Sequence, residues 1–257
     1  MIRAIFFDVD GTLVSFDTHC CPPPVLDALH RLREKGIKLF LATGRPPQML
    51  SYIYSQFTFD AQVTLSGQYC FTPQQVLRQN PMPQSHVESV VRAAKKHGFS
   101  CMVLRADDVF VNHLDDFSQN FCAELDIPIP PQLDLENALT QPVYQMIAFL
   151  PPEQEHILSQ ENPELKFTRW NPTFLDIIPP TGGKDVGIQS VMAHYGLSPN
   201  EVMAFGDGEN DLPMLRYAGI GVAMGTASDF VKSQADYVTG TVDELGILHA
   251  LEHYGLV

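Results

Sequence analysis

The chain of 257 residues contains no uninterrupted apolar run that approaches the length of a membrane-spanning helix, so no transmembrane segment is expected. Its opening, Met1-Ile-Arg-Ala-Ile-Phe-Phe-Asp8, meets an acid after a short apolar run. It lacks the longer apolar core and small-residue cleavage site of a signal peptide, which makes a cytoplasmic location the expectation. Cysteine is scarce: five residues, an odd count without a CxxC pair, argue against both a disulfide framework and a zinc site and read as reduced thiols. Positive charge is short as well. Sixteen Lys and Arg against 30 Asp and Glu leave a formal net charge of −14, a field that repels nucleic acid and offers nothing to an anionic membrane. Neither is an expected partner, and any phosphate must be held locally by a metal ion or a few cationic side chains. With 45% hydrophobic and 18% charged residues the composition is that of a folded protein, long enough to bury a core as one large domain or two modest ones.

Hydrophobic patterning predicts the architecture. Ile2 to Phe7 is an apolar, partly β-branched run bounded by Asp-Val-Asp-Gly, which suits a strand buried on both faces. Pro24 then opens a periodic stretch with Val25, Leu26, Leu29 and Leu32 on one face and Gly36 at the expected helix end. The alternation continues with a strand over Ile37 to Ala42, a helix around Met49 to Phe57 and a strand over Gln62 to Leu65. Gln68 to Gln79 reads as a hairpin, and Asn80-Pro-Met-Pro83 and Pro179-Pro-Thr-Gly-Gly183 read as linkers. Between them lies a helix, two strands, a helix, a proline-rich loop over Ile127 to Pro131, a strand, a helix and two strands. After them a helix from Lys184, strands at Glu201 to Phe205 and Ile220 to Ala223, and a last helix from about Asp243 resume the first pattern. The expectation is an α/β fold: a Rossmann-like parallel-sheet core formed by 1–82 and 179–257, with an inserted α+β domain at 83–178.

Four segments carry candidate chemistry. Asp8 and Asp10 follow the first strand, at the carboxyl edge where ligands of open α/β sheets gather, and two carboxylates this close call for a cation such as Mg²⁺ between them. Taken alone, the pair is equally readable as an Asp-Gly turn with a capping acid. Gly206-Asp-Gly-Glu-Asn-Asp211 adds three acids and an amide at the equivalent edge, with Asp207 the natural further metal ligand and Asn210 and Asp211 facing the same cavity. Acids at a helix N-terminus are favourable by dipole alone, a reading that accounts for Glu209 better than for the others. Thr43-Gly44-Arg45 ends the second strand before a helix, where a hydroxyl and free backbone N–H groups can hold phosphate oxygens; a plain turn is the alternative. Lys184, after Gly182-Gly183, can neutralise a phosphoryl group or can simply be solvated. The joint placement of all four on one sheet edge is harder to obtain by chance than any one of them. Two competing motifs are incomplete: Gly182-Gly-Lys-Asp lacks the Ser or Thr and the upstream glycine of a P-loop, and Gly206-x-Gly carries Asp211 where a dinucleotide fingerprint needs its third glycine.

Phe7-Asp-Val-Asp-Gly-Thr-Leu13, Ala42-Thr-Gly-Arg45, Lys184 and Gly206-Asp-Gly-Glu-Asn-Asp211 resemble the four motifs of the haloacid dehalogenase-like superfamily, in the order and spacing of its Cof-type branch. The inserted segment resembles that branch's cap domain. The resemblance implies a phosphatase of small phosphorylated metabolites, sugar phosphates or similar, in which Asp8 becomes an aspartyl-phosphate and Asp10 serves as acid and then base. It implies Mg²⁺ held by the Asp8 carboxylate, the Asp10 backbone carbonyl and Asp207. Thr43, Gly44 and Lys184 would bind the phosphoryl group, Asn210 and Arg45 the substrate, and Asp211 would orient Lys184 or a metal-bound water. A sugar phosphomutase, or a sensor that keeps its phosphoaspartate, is the alternative; the acid at Asp10 favours turnover. Arg169, Trp170 and Asn171 are candidates to line the cap side of the site. Leu65-Ser-Gly-Gln68 departs from the family, which usually places Asn where Ser66 stands. A monomer or homodimer is expected.

Overall fold

The computed structural model describes residues 1–169 and 171–257. Two sheets organise the chain. The first begins with β1 (Ala4–Phe7), β2 (Lys38–Ala42) and β3 (Ala61–Thr64), with α1 (Pro23–Glu34) and α2 (Ser51–Gln56) as crossovers, and turns into the hairpin β4 (Tyr69–Phe71) and β5 (Val76–Gln79). The chain then leaves for a second unit: α3 (Gln84–His97), β6 (Ser100–Leu104), β7 (Val109–Val111), α4 (Asp116–Glu124), β8 (Gln145–Phe149), α5 (His156–Ser159), β9 (Lys166–Thr168) and β10 (Leu175–Ile178). It returns through α6 (Lys184–Tyr195), β11 (Val202–Gly206), α7 (Leu212–Tyr217), β12 (Ile220–Ala223), α8 (Asp229–Lys232), β13 (Tyr237–Val238) and α9 (Gly246–His253). The first sheet has the order β13-β12-β11-β1-β2-β3-β4-β5, parallel from β13 to β3 and antiparallel through the hairpin. The second has the order β7-β6-β8-β10-β9 and is antiparallel throughout.

The expected α/β core with an inserted α+β unit is therefore what the chain forms. β1 reads as a continuous apolar run because both of its faces are covered. Ile5 and Phe7 join Leu29, Leu32 and Leu251 beneath α1 and α9, while Ala4 and Phe6 join Ile188, Val191 and Leu215 beneath α6 and α7. The insert works differently. One face of its sheet, with Cys101, Val103, Met146, Ala148, Leu175 and Ile177, packs on α3 and α5. The other, with Met102, Leu104, Ile147 and Phe174, packs against Phe121 and Leu125 of the α4 region and reaches Leu65 and Met49 of the core.

Local signals explain the element ends. Asp115 caps α4 in a reciprocal box with Ser118, whose backbone N–H donates to Asp115 Oδ1 at 2.8 Å. The helical stretch expected around Met49 to Phe57 divides into a 3₁₀ turn over Pro47–Leu50 and the short α2. Among the described residues, no helix is long and apolar enough to cross a membrane.

Candidate active site

The carboxyl ends of β1, β2 and β11 open toward the insert, and a cavity of about 320 Å³ lies between them and its sheet. Asp8, directly after β1, is anchored through its backbone N–H to the Phe205 carbonyl of β11 at 3.0 Å. The chain then turns tightly through Gly11, where φ is +75° and any Cβ would collide with the Asp207 carboxylate. Glycine here lets the loops after β1 and β11 approach each other, and Thr12 Oγ1 donates to Asp207 Oδ1 at 3.2 Å across that junction.

Lys184, at the start of α6, is 1% exposed and donates from Nζ to Asp8 Oδ1 at 2.5 Å and to Asp211 Oδ1 at 2.6 Å. Asp211 spends its other oxygen on the backbone N–H groups of Asp207 and Gly208, at 3.1 and 3.0 Å. Both oxygens of Asp211 are thus engaged, and its work is to fix Lys184 and the β11 loop. The cluster sets two buried carboxylates, Asp8 and Asp211, and the half-buried Asp207 around one ammonium. Burial, reinforced by Asp211 and opposed by Lys184, holds the Asp8 carboxyl well above the usual carboxylate range. Burial and Asp211 push the Asp207 carboxyl up to about 7. Burial works against the charge of Lys184, but Asp211 and Asp8 together hold its ammonium above the ordinary lysine range. The site therefore lacks positive charge, and a divalent cation would supply it.

The donors present fit such an ion. Asp8, Asp207 and Asp211 can each present an oxygen within 4.8 Å of the others. With Asp211 committed, Asp8 and Asp207 are the carboxylates that can turn toward a cation, and an all-oxygen set suits Mg²⁺.

Thr43 is positioned by the sheet and by its own turn: its N–H donates to Val63 O at 2.8 Å, and its Oγ1 accepts from the N–H of Arg45 at 3.0 Å. Thr43, Gly44 and Asn210 all line the cavity, as does Arg45. The Arg45 guanidinium grips Asp10, from Nε to Oδ2 at 2.8 Å and from Nη2 to Oδ1 at 2.7 Å, and Nη2 also donates to the Leu125 carbonyl of the insert at 2.9 Å. On the insert side Arg169 lines the cavity, Asn171 instead donates to Glu124 at 3.1 Å, and Trp170 lies outside the described residues. The sequence reading passed over Gln145 and Asp176, which also line the cavity and are joined at 2.9 Å. Their only signal was a polar residue at alternate positions of otherwise apolar strands.

A model of the haloacid dehalogenase-like hydrolases matches residues 5–251 of the chain. YkrA of Bacillus subtilis (strain 168), which bears a phosphatase name, is 30% identical over 99% of this chain and 98% of its own length. A solved structure from a phosphoryl-transfer superfamily, described for its conserved trigonal-bipyramidal intermediate, superposes with a TM-score of 0.95 and 37% identity, covering 100% of both chains. A subclass IIB sugar phosphatase superposes with a TM-score of 0.93 and 37% identity over 99% of this chain and 100% of its own.

Proposed function

The chain belongs to the haloacid dehalogenase-like hydrolases, and from that premise we propose that it is a Mg²⁺-dependent phosphatase of small phosphorylated metabolites, with the insert, 83–178, as its cap domain. The observation that carries this reading is Lys184, buried between Asp8 and Asp211 at 2.5 and 2.6 Å, directly behind the Asp8 carboxylate that lines the cavity. An ammonium held so tightly against one carboxylate neutralises an incoming phosphoryl group while keeping that carboxylate aimed at it.

In this reading a carboxylate oxygen of Asp8 attacks phosphorus, the bond from phosphorus to the substrate oxygen breaks, and Asp10 donates its proton to that oxygen. Asp10, now a carboxylate, takes a proton from water as the water oxygen attacks the phosphorus of the aspartyl-phosphate. The bond from Asp8 to phosphorus breaks, and inorganic phosphate and the Asp8 carboxylate are restored. Arg45 keeps the Asp10 side chain in one rotamer through both steps and stabilises the carboxylate that the first step leaves. Thr43, Gly44 and Lys184 hold the phosphoryl oxygens, Asn210 contacts the substrate, and Asp211 holds Lys184. The Asp8 carboxylate, the Asp10 backbone carbonyl and Asp207 would hold Mg²⁺, which would supply charge neutralisation and orientation. The insert covers the site and excludes water. The sugar phosphatase among the structural neighbours supports sugar-like substrates for this chain.

Hydrolysis of p-nitrophenyl phosphate with and without Mg²⁺, by the wild type and by Asp8→Asn, tests the proposal. Turnover that needs Mg²⁺ and vanishes in the variant is expected; Mg²⁺-dependent activity retained by Asp8→Asn overturns it.

A further inference from the structure

The face of the insert's sheet that roofs the cavity is built by alternate residues of three neighbouring strands or their approaches: Met102 and Leu104, Gln145 and Ile147, Phe174 and Asp176. Four of the six are apolar. Gln145 and Asp176 are the exceptions, and at 1% and 2% exposure they are among the least accessible polar residues of the chain. Burying an amide and a carboxylate in such a roof costs free energy unless their hydrogen bonds are met. Gln145 Nε2 donates to Asp176 Oδ1 at 2.9 Å. A carboxylate only accepts, so the amide nitrogen must face Asp176, and Gln145 Oε1 is left buried without a partner.

A second unsatisfied group lies beside Gly44, a residue that lines the cavity. Ser66 is 3% exposed, sits at φ +53° with its N–H donating to Thr43 O at 3.0 Å, and has a buried hydroxyl with no partner. Ser66 Oγ and Gln145 Nε2 both approach Gly44, 3.4 and 4.0 Å from where a Cβ on that glycine would stand. Ser66 Oγ and the amide of Gln145, whose Oε1 is open, therefore lie beside the turn assigned to the phosphoryl group. The charged residues on the insert side of the cavity are Asp176 and Arg169. Arg169 is paired with Glu155 at 3.4 Å and with three backbone carbonyls at 2.9 to 3.1 Å, leaving Nη2 as a further donor.

Resting on the phosphatase reading, we infer that Gln145, Ser66 and Asp176 form a leaving-group subsite that selects an uncharged, hydroxyl-bearing alcohol and rejects one carrying a second negative charge. A substrate hydroxyl donates to Gln145 Oε1 and another group accepts from Ser66, which completes both buried residues. A carboxylate or second phosphate in the same place meets Asp176 and an acceptor oxygen, while the two arginines that line the cavity, Arg45 and Arg169, are already paired with Asp10 and Glu155. Ser66 and Gln145 are contacts; Asp176 is the positioning residue that fixes which way the amide faces.

The test is kcat/KM on four substrates in the presence of Mg²⁺: a neutral sugar monophosphate, the same sugar as a bisphosphate, a phosphorylated sugar acid and p-nitrophenyl phosphate. The wild type should prefer the neutral monophosphate over either anionic analogue by about 10-fold or more, the scale set by leaving buried polar groups unmatched. Gln145→Ala and Ser66→Ala should each lower kcat/KM on that substrate by about 3- to 10-fold with p-nitrophenyl phosphate nearly unaffected, because the aryl ester offers no hydroxyl to lose. Asp176→Asn should narrow the discrimination against the sugar acid. A wild type that prefers either anionic sugar, or a Gln145→Ala loss equal on all four substrates, overturns the inference and leaves the phosphatase reading intact. Absence of Mg²⁺-dependent turnover of p-nitrophenyl phosphate by the wild type overturns both.

Discussion

Arg45 holds Asp10 by both carboxylate oxygens, at 2.8 and 2.7 Å, and the nitrogen that makes the shorter of these bonds also donates to Leu125 in the insert at 2.9 Å. The resemblance implies Arg45 as a substrate contact; the geometry also ties it to Asp10, the acid and base of the proposed reaction, and to the insert. A planar fork makes all three bonds at once, and a lysine ammonium cannot reproduce that arrangement.

Arg45→Lys is accordingly expected to lower kcat by about 10- to 100-fold, the worth of a hydrogen bond to a charged group or two, while KM for a small aryl phosphate changes little. Steady-state kinetics separate the two roles. A raised KM with unchanged kcat would return Arg45 to the substrate.

Gly187 lies one turn into α6 after Lys184, and a Cβ there would run into Val63 and come within 2.7 Å of Gly67 Cα and 3.3 Å of Cys70 Sγ. Two effects oppose each other in Gly187→Ala. Helix propensity favours alanine by roughly 1 kcal/mol, but overpacking against backbone costs about 1–3 kcal/mol, so the clash should win. The variant is expected to melt several degrees lower and to lose activity as well, because the shift of α6 carries Lys184 with it. A variant that gains stability would mean that the helix and the β3–β4 turn can separate at no cost.

Much of this was legible in the sequence, for reasons that differ by region. Asp8, Lys184 and Asp207 were readable because each follows a strand or linker of one sheet, and the topology of a parallel sheet brings such ends together. The strands of the core were readable because burial on both faces writes an unbroken apolar run, as in Ala4–Phe7. Gln145 and Asp176 were not, since a lone polar residue in an apolar strand is usually assigned to the solvent face. Only the approach of two sheets shows that this face is a roof. The clamp of Arg45 on Asp10, 35 residues apart, likewise depends on rotamers that no spacing encodes.

The five thiols differ in environment. Burial pushes Cys21, Cys70 and Cys101 up to about 12 and raises Cys122 as well, while Cys20 is exposed. A thiol reacts as its thiolate, and a group titrating near 12 is ionised to only about one part in ten thousand at about pH 8. Thiol titration of the folded protein should therefore count one fast group, and denaturant should release the rest. Raising the pH should speed the slow class without reordering it. A second fast thiol in the folded protein would contradict the burial of Cys21, its sequence neighbour.

Removal of Mg²⁺ should expose the charge imbalance at Asp8, Asp207 and Asp211. Without the ion, two buried carboxylates and the half-buried Asp207 share one ammonium, so deleting one negative charge ought to stabilise the fold. With it, that same charge is a ligand. Asp207→Asn is thus expected to melt above the wild type in chelator and to gain little from Mg²⁺. The wild type should gain on the order of 2.7 kcal/mol when the free ion exceeds its dissociation constant about 100-fold. Thermal melts of both proteins, with chelator and with Mg²⁺, give four values whose ordering decides the matter. If Mg²⁺ raised both melting temperatures equally, the ion would be binding elsewhere, and the assignment of Asp207 as its ligand would fall.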